Sequence, residues 1–452
     1  MGGEIIVHHD QGNDYEVLLT LYRDTLGISI AQSQTLTLFD QNGNGISTIV
    51  STHDLTAFHP IFGLQNGSLL PYFPYGVEVY FYSATITISN PGEYTIAWSN
   101  CCRNAAIINI PNASSYDMHL FTNFTVDPNQ TGSTPYFMVR PIVYLPVNTP
   151  WQYNPLPFDP DGDSLVWSLD VPHESSATNL TDGTQIPGYT NPPSVSGGTF
   201  SIDPLTGTIS WTASTLGNFV YTVTCEEYRN GVKIGDIRRD MQFVVLPQGP
   251  VPALMDLNTL STLNGIPYAT AIAGGTFDLN LFAMDSSVAT IAFEAYGEPF
   301  IINNPMTYIT GPTDDPFKTK ISLMWDPTSN EVRPEPYLIV LRLMNGTFTM
   351  DYNLYILVVE PTYIGDSRIV NMPIYPNPSS GDVTVPVNLE HPQLVSLIIL
   401  DVQGKIVNSV QARYPSGYNL VVLENNLPNG NYLVEIQFED GGREVQQLII
   451  RN

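Results

Sequence analysis

The chain has 452 residues, of which 43% are hydrophobic, enough to bury several cores in roughly three to four domains. It carries 16 Lys and Arg against 43 Asp and Glu, a net charge of −27 at pH 7. Phosphate backbones and anionic lipid repel such a polyanion, which argues against nucleic-acid recognition and makes divalent cations its natural small partners.

Pro (37), Gly (34) and Tyr (25) are abundant, and no long stretch has helical periodicity. Short alternating runs recur instead. In chain order they include "YEVLLTLYRD", "QTLTLFD", "VEVYFYSATITIS", "EYTIAW", "SLVWSL", "GTISWTA", "FVYTVTCEEY", "YLIVLRL", "YNLYILVVE", "LVSLIILD", "NLVVLE", "YLVEIQF" and "QQLIIR". Turn signals such as "QNGNG", "PNG", "DGG" and "PSSG" punctuate them. The pattern predicts an all-β protein of sandwiches. No apolar run reaches about 18 residues, so no membrane span is expected. "MGGEIIVHH" has neither a basic nor an apolar leader region, so the chain is either cytoplasmic or numbered after removal of a signal peptide.

One pattern repeats. Residues 207–247 and 320–361 each read as a strand with Trp (Trp211, Trp325), a linker, an apolar strand, an Asn-Gly turn and a closing strand ending in Pro. Two consecutive domains of one architecture follow, with the tryptophans as core anchors; sugar stacking is the competing role. The expected domains are an N-terminal β-sandwich-like domain (1–140), an immunoglobulin-like sandwich (141–247), a second one (248–361), and a linker plus small β-sandwich (362–452).

"FDPDGDSLVW" places Asp159, Asp161 and Asp163 within five positions before a strand. Three readings stand. Alternating carboxylates around Gly162 can offer oxygens to calcium, which takes six to eight of them; they can cap backbone N–H groups in a plain turn; or they can form a catalytic pair, although no partner His accompanies them. "FDQNGNG" (39–45) reads as a hairpin turn. His8 and His9 point to opposite faces of a strand, and His53, His59, His119, His173 and His391 lack H-E-x-x-H spacing, so zinc is not expected. Of the cysteines, adjacent Cys101 and Cys102 strain a mutual ring, so the expected bridge is Cys102–Cys225, with buried free thiols as the alternative. No G-x-S-x-G elbow, P-loop or C-x-x-C pair appears. Arg238–Asp240 ("RRD") reads as a surface pair or interdomain contact, and Arg103 and Asn104 as braces of the same junction.

The tail contains "YPNPSSG", "DVQGK", "LPNGNYLVEI" and a closing "QQLIIRN". In that order these resemble the C-terminal sorting domain of type IX secretion cargo of Bacteroidetes. The resemblance implies that Tyr375, Pro376, Asn377, Pro378, Gly381, Gly404, Gly430 and Tyr432 carry the sorting signal and that the partner is the outer-membrane translocon. "GGEIIVHHDQGNDYEVLLTLYRD", "AWSNCCRNAAIINI" and "CEEYRNGVKIGDIRRDMQFVV" resemble the N-terminal region of gliding-motility adhesins, departing at Thr25, where relatives carry further cysteines. "DPDGDSLVWSLDVP" with "GTISWTASTLGNFVYTVT" is similar to cadherin-like repeats. These resemblances imply a secreted, non-catalytic, structural or adhesive surface protein, extracellular after leader removal, that binds polysaccharide or protein or self-associates into filaments. A secreted hydrolase, or the accessory module of one, is the alternative.

Overall fold

The computed structural model describes residues 2–70, 76–130, 132–287, 291–360, 374–389, 391–401, 403–424, 427–439 and 442–451. Among them there is no α-helix, only short 3-10 turns such as Ala113–Ser115, and so none long and apolar enough to cross a membrane. Residues 361–373, where the expected segment of linker plus small β-sandwich (362–452) begins, lie outside the described residues. The chain folds as two compact units, Met1–Val359 and Glu360–Asn452.

In the first unit the strands β1 (Gly2–Gln11), β2 (Asp14–Asp24), β3 (Ser33–Asp40), β4 (Gly45–Thr52), β5 (Val77–Thr87), β6 (Gly92–Asn100) and β7 (Met118–Val126) form the front lobe. Their inward positions, among them Leu19, Ile96 and Leu120, close a core. This lobe is not bounded at residue 140. The strand Val232–Leu246 lies between β7 and β1 in a single sheet, and also pairs antiparallel with Gly217–Arg229 and parallel with Tyr144–Pro146. The expected domains 1–140 and 141–247 thus share one sheet. Their apolar cores merge as well: the cluster around Trp151, Tyr153, Trp211 and Phe243 takes in Val77 and Val79 from the front and Val340 and Met350 from the next sandwich.

The opening Gly2-Gly3 makes this possible. A Cβ on Gly2 would sit 2.3 Å from the Asp240 carbonyl oxygen, and one on Gly3 2.6 Å from that of Thr20. Only bare backbone lets β1 slot between its two neighbours.

Residues 253–359 form two facing sheets over a core that includes Leu281, Leu323, Ile339 and Leu354, the sandwich expected from the repeat. Trp211 and Trp325 are both buried, and each indole N–H donates to an upstream carbonyl, of Pro193 and Asn304 respectively. They are core anchors without an exposed ring face. In the first repeat the turn Asn230-Gly231 has positive φ at both positions (52° and 78°), the geometry a two-residue hairpin demands.

Buried arginines join these parts. Arg239 is fully enclosed. Its Nε and Nη2 donate to Glu4 of β1 at 2.5 and 2.7 Å, and its Nη1 to the Val139 carbonyl and the Tyr153 hydroxyl at 2.7 Å, while the guanidinium lies on the Phe137 ring. Arg103 clamps Asp240 through both nitrogens and also reaches the carbonyls of Asp117 and His173. Arg342 grips Asp351 and donates to the carbonyl of Arg140, whose own side chain pairs with Glu294. Of the "RRD" triplet, only Arg238 fits a surface-pair reading, contacting Asp170 and Asp236; the other two residues brace the junction.

The second unit has a two-stranded sheet, Val383–Leu389 with Gly417–Leu423. Its four-stranded sheet has the order Ile406–Tyr414, Gln393–Leu400, Gly430–Phe438, Arg443–Ile450. Val385, Leu397, Ile436 and Leu448 fill the space between them.

Candidate functional site

The acid loop lies between Pro157–Phe158 and the strand Ser164–Asp170. Gly162 takes the left-handed φ (83°) that closes the turn. Asp159 Oδ1 accepts the backbone N–H groups of Asp161 and Asp163, both at 2.9 Å, so the capping reading describes half of this carboxylate. Its other oxygen, Oδ2, is buried without a hydrogen-bond partner among the described residues. Asp161 turns away and accepts the Ser133 N–H at 2.6 Å. Asp163 is held by Arg229, whose Nη1 also reaches the Gln130 carbonyl.

The third carboxylate of the cluster is one that sequence reasoning missed. Glu227, buried on Gly217–Arg229 opposite Leu165, offers an oxygen that lies with oxygens of Asp159 and Asp163 mutually within 4.8 Å. Strand alternation places Glu227 on the same face as Arg229, two positions on, and that was the available signal. Loss of water pushes the Glu227 carboxyl up to about 9, helped by the Asp159 charge and a hydrogen bond with Asp163. Burial likewise raises Asp159 to about 6. Among the described residues the acids here outnumber the guanidinium of Arg229, and one buried oxygen faces no donor. That donor set suits a hard divalent cation, with Asp159, Asp163 and Glu227 as holders and Asp161 outside the group.

The other candidates are structural. Asp40 of "FDQNGNG" accepts the N–H groups of Asn42 and Asn44, which is the expected hairpin turn. His8 contacts Ser133 and His9 the Gly12 carbonyl, and the two do not converge. The expected Cys102–Cys225 bridge is corrected. Cys101 and Cys102 are joined to each other in an exposed turn after β6, whereas Cys225 is a free thiol in the main core, opposite Trp167 and Ile237. The middle of a buried strand gives Cys225 no route to that surface turn, and burial raises its pKa well above the ordinary thiol value.

In the tail, Asn377 donates to the Gln447 carbonyl and accepts the Ile449 N–H, while Ser379 exchanges backbone hydrogen bonds with Ile449 and Arg451. "YPNPSSG" is thereby sewn to the last strand. Gly404 takes φ 80° in the "DVQGK" turn, where Asp401 caps Gln403 and Lys405. Tyr432 packs over Gly430 and donates to the Pro428 carbonyl. Residues 373–451 match the secretion system C-terminal sorting domain. The chain therefore carries the tail of type IX secretion cargo, a signal for export to the cell surface or extracellular space, and its partner is the secretion machinery. No curated protein matches the chain.

The raised carboxyls set a pH dependence. A carboxyl that holds its proton more tightly in the folded chain stabilises the fold fully below its unfolded pKa of about 4.3. That contribution is lost as pH rises through the folded value, about 9 for Glu227. Denaturant unfolding in chelator should show stability falling across this window, and Glu227→Gln should flatten the fall; an unaltered slope in the variant would contradict the assignment.

Proposed function

We propose that this exported chain is a non-catalytic structural or adhesive protein of the cell surface, a β-body that binds polysaccharide or protein through its surface. The observation that carries the reading is the use made of ionisable groups in residues 2–359. Arg239 with Glu4 and Arg103 with Asp240 are closed, buried pairs between segments far apart in the chain, and Arg342 with Asp351 is one within a hairpin that reaches out to the Arg140 carbonyl and the Asn154 N–H; none of them converges on a substrate cleft. Catalysis needs a positioned acid or base within reach of substrate; a load transmitted between lobes needs fixed joints, and buried bidentate pairs supply them. Self-association through edge strands is the assembly mode this reading favours.

Calcium belongs to the same reading. Bound by Asp159, Asp163 and Glu227, a divalent cation would neutralise the crowded acids and tie the 159–163 loop to the hairpin strand.

Two experiments test these assignments. Deleting residues 372–452 should leave the protein in the periplasm; secretion of the truncated chain would contradict tail-dependent export. Excess calcium should raise the melting temperature of the intact chain, chelator should reverse the gain, and Asp159→Asn with Glu227→Gln should abolish it. An unchanged melting temperature in the wild type would leave the loop as a turn alone.

A further inference from the structure

The chain has five tryptophans, and four of them spend the indole N–H inside the protein. Trp98 donates to Gln34, Trp151 to the Thr349 carbonyl, Trp211 to that of Pro193 and Trp325 to that of Asn304. Trp167 differs twice over. It is only half-buried on the strand Ser164–Asp170, and its Nε1 is buried with no hydrogen-bond partner among the described residues. A stranded indole donor destabilises a fold, so buried indole N–H groups normally find an acceptor. A Cβ on Gly207 would stand 3.3 Å from this nitrogen, so the missing side chain leaves the space beside the donor open to an incoming oxygen.

Trp167 lines a cavity of about 310 Å³ in the first unit, near the lower bound of small-ligand sites. Half-buried Phe158 and Tyr355 add two more rings to its wall, buried Met138 and Leu156 underlie it, and Leu205, 68% exposed, stands at its rim. Its charges are fixed in place. Arg333 Nη1 pairs with Glu298 at 2.8 Å, Nε donates to the Glu335 carbonyl at 3.1 Å, and the guanidinium lies 3.6 Å from the Tyr337 ring centre.

Three demands select the occupant. It must bring an acceptor oxygen to the indole N–H and a face of C–H bonds to the electron-rich rings. It must also carry groups that donate to a carboxylate and accept from a guanidinium, as hydroxyls do. A sugar ring meets all three. An apolar ligand would leave the indole unpaired, and an anionic sugar would meet Glu298 and Glu335 in a chain of net charge −27. We propose that this cavity binds a neutral hexose residue of a polysaccharide. The ring would stack on the aromatic wall, with one oxygen facing Trp167 Nε1 and further hydroxyls on the Arg333–Glu298 pair. The proposal rests on the adhesive reading and gives its ligand class.

The test probes the purified full chain on an array of neutral glucans, mannans and galactans, with uronic-acid and sulfated glycans alongside, and on whole cells. Trp167→Phe keeps an aromatic ring and deletes the unpaired donor. Arg333→Met keeps an apolar stem over Tyr337 and deletes the guanidinium at a partly exposed position, so the fold should survive it. The expected result is binding to neutral glycans, weakened about tenfold or more in each variant. Neutral-glycan binding that both variants leave intact, or binding confined to charged glycans, would overturn the cavity assignment and leave adhesion standing. Attachment to cells without binding to any glycan would also overturn the cavity alone, and binding to neither would overturn the adhesive reading with it.

Discussion

The first 359 residues depend on one buried guanidinium. Arg239 lies in the strand that serves the front lobe and the sandwich after it, and its donors are met by Glu4, Val139 and Tyr153. Burying a charge is tolerable only when its partners satisfy it, and removing one partner of such a pair costs about 3–5 kcal/mol. Glu4 is 235 positions away and arrives only because Gly2 and Gly3 allow β1 against the backbone of Asp240 and Met241. The first residues and the closing hairpin therefore specify each other.

The same device recurs at each junction. Arg103 fixes the turn after β6 to the next residue of that strand, Asp240. Arg342 and Asp351 tie the 140–154 segment to the following sandwich through the Arg140 carbonyl and the Asn154 N–H. In a chain so poor in cations, arginines placed at joints rather than on the surface make a continuous body from what would otherwise be beads on a string. The Glu227 cluster is built on the strand paired with this framework's central strand and inherits its geometry from that pairing.

Much of this was legible beforehand. Alternation announced the strands, and the Trp-to-Asn-Gly spacing announced both hairpins and both buried tryptophans. "YPNPSSG" and "LPNGNY" announced the tail, because those signals are local. What escaped is non-local or against local preference. Glu227 joins Asp159 and Asp163 only across a strand pairing. The shared sheet depends on contacts over more than two hundred residues, which no periodicity encodes. The Cys101–Cys102 bond ran against the strain expected of neighbouring thiols. Asp161 looked equivalent to its neighbours until the loop turned it toward Ser133.

The central claim, that the front lobe and the two sandwiches are one cooperative body, is tested most directly by scanning calorimetry of residues 1–359. A shared sheet, a merged core and arginine joints predict a single transition with equal calorimetric and van't Hoff enthalpies. Separate transitions for 1–140 and the residues beyond would contradict it.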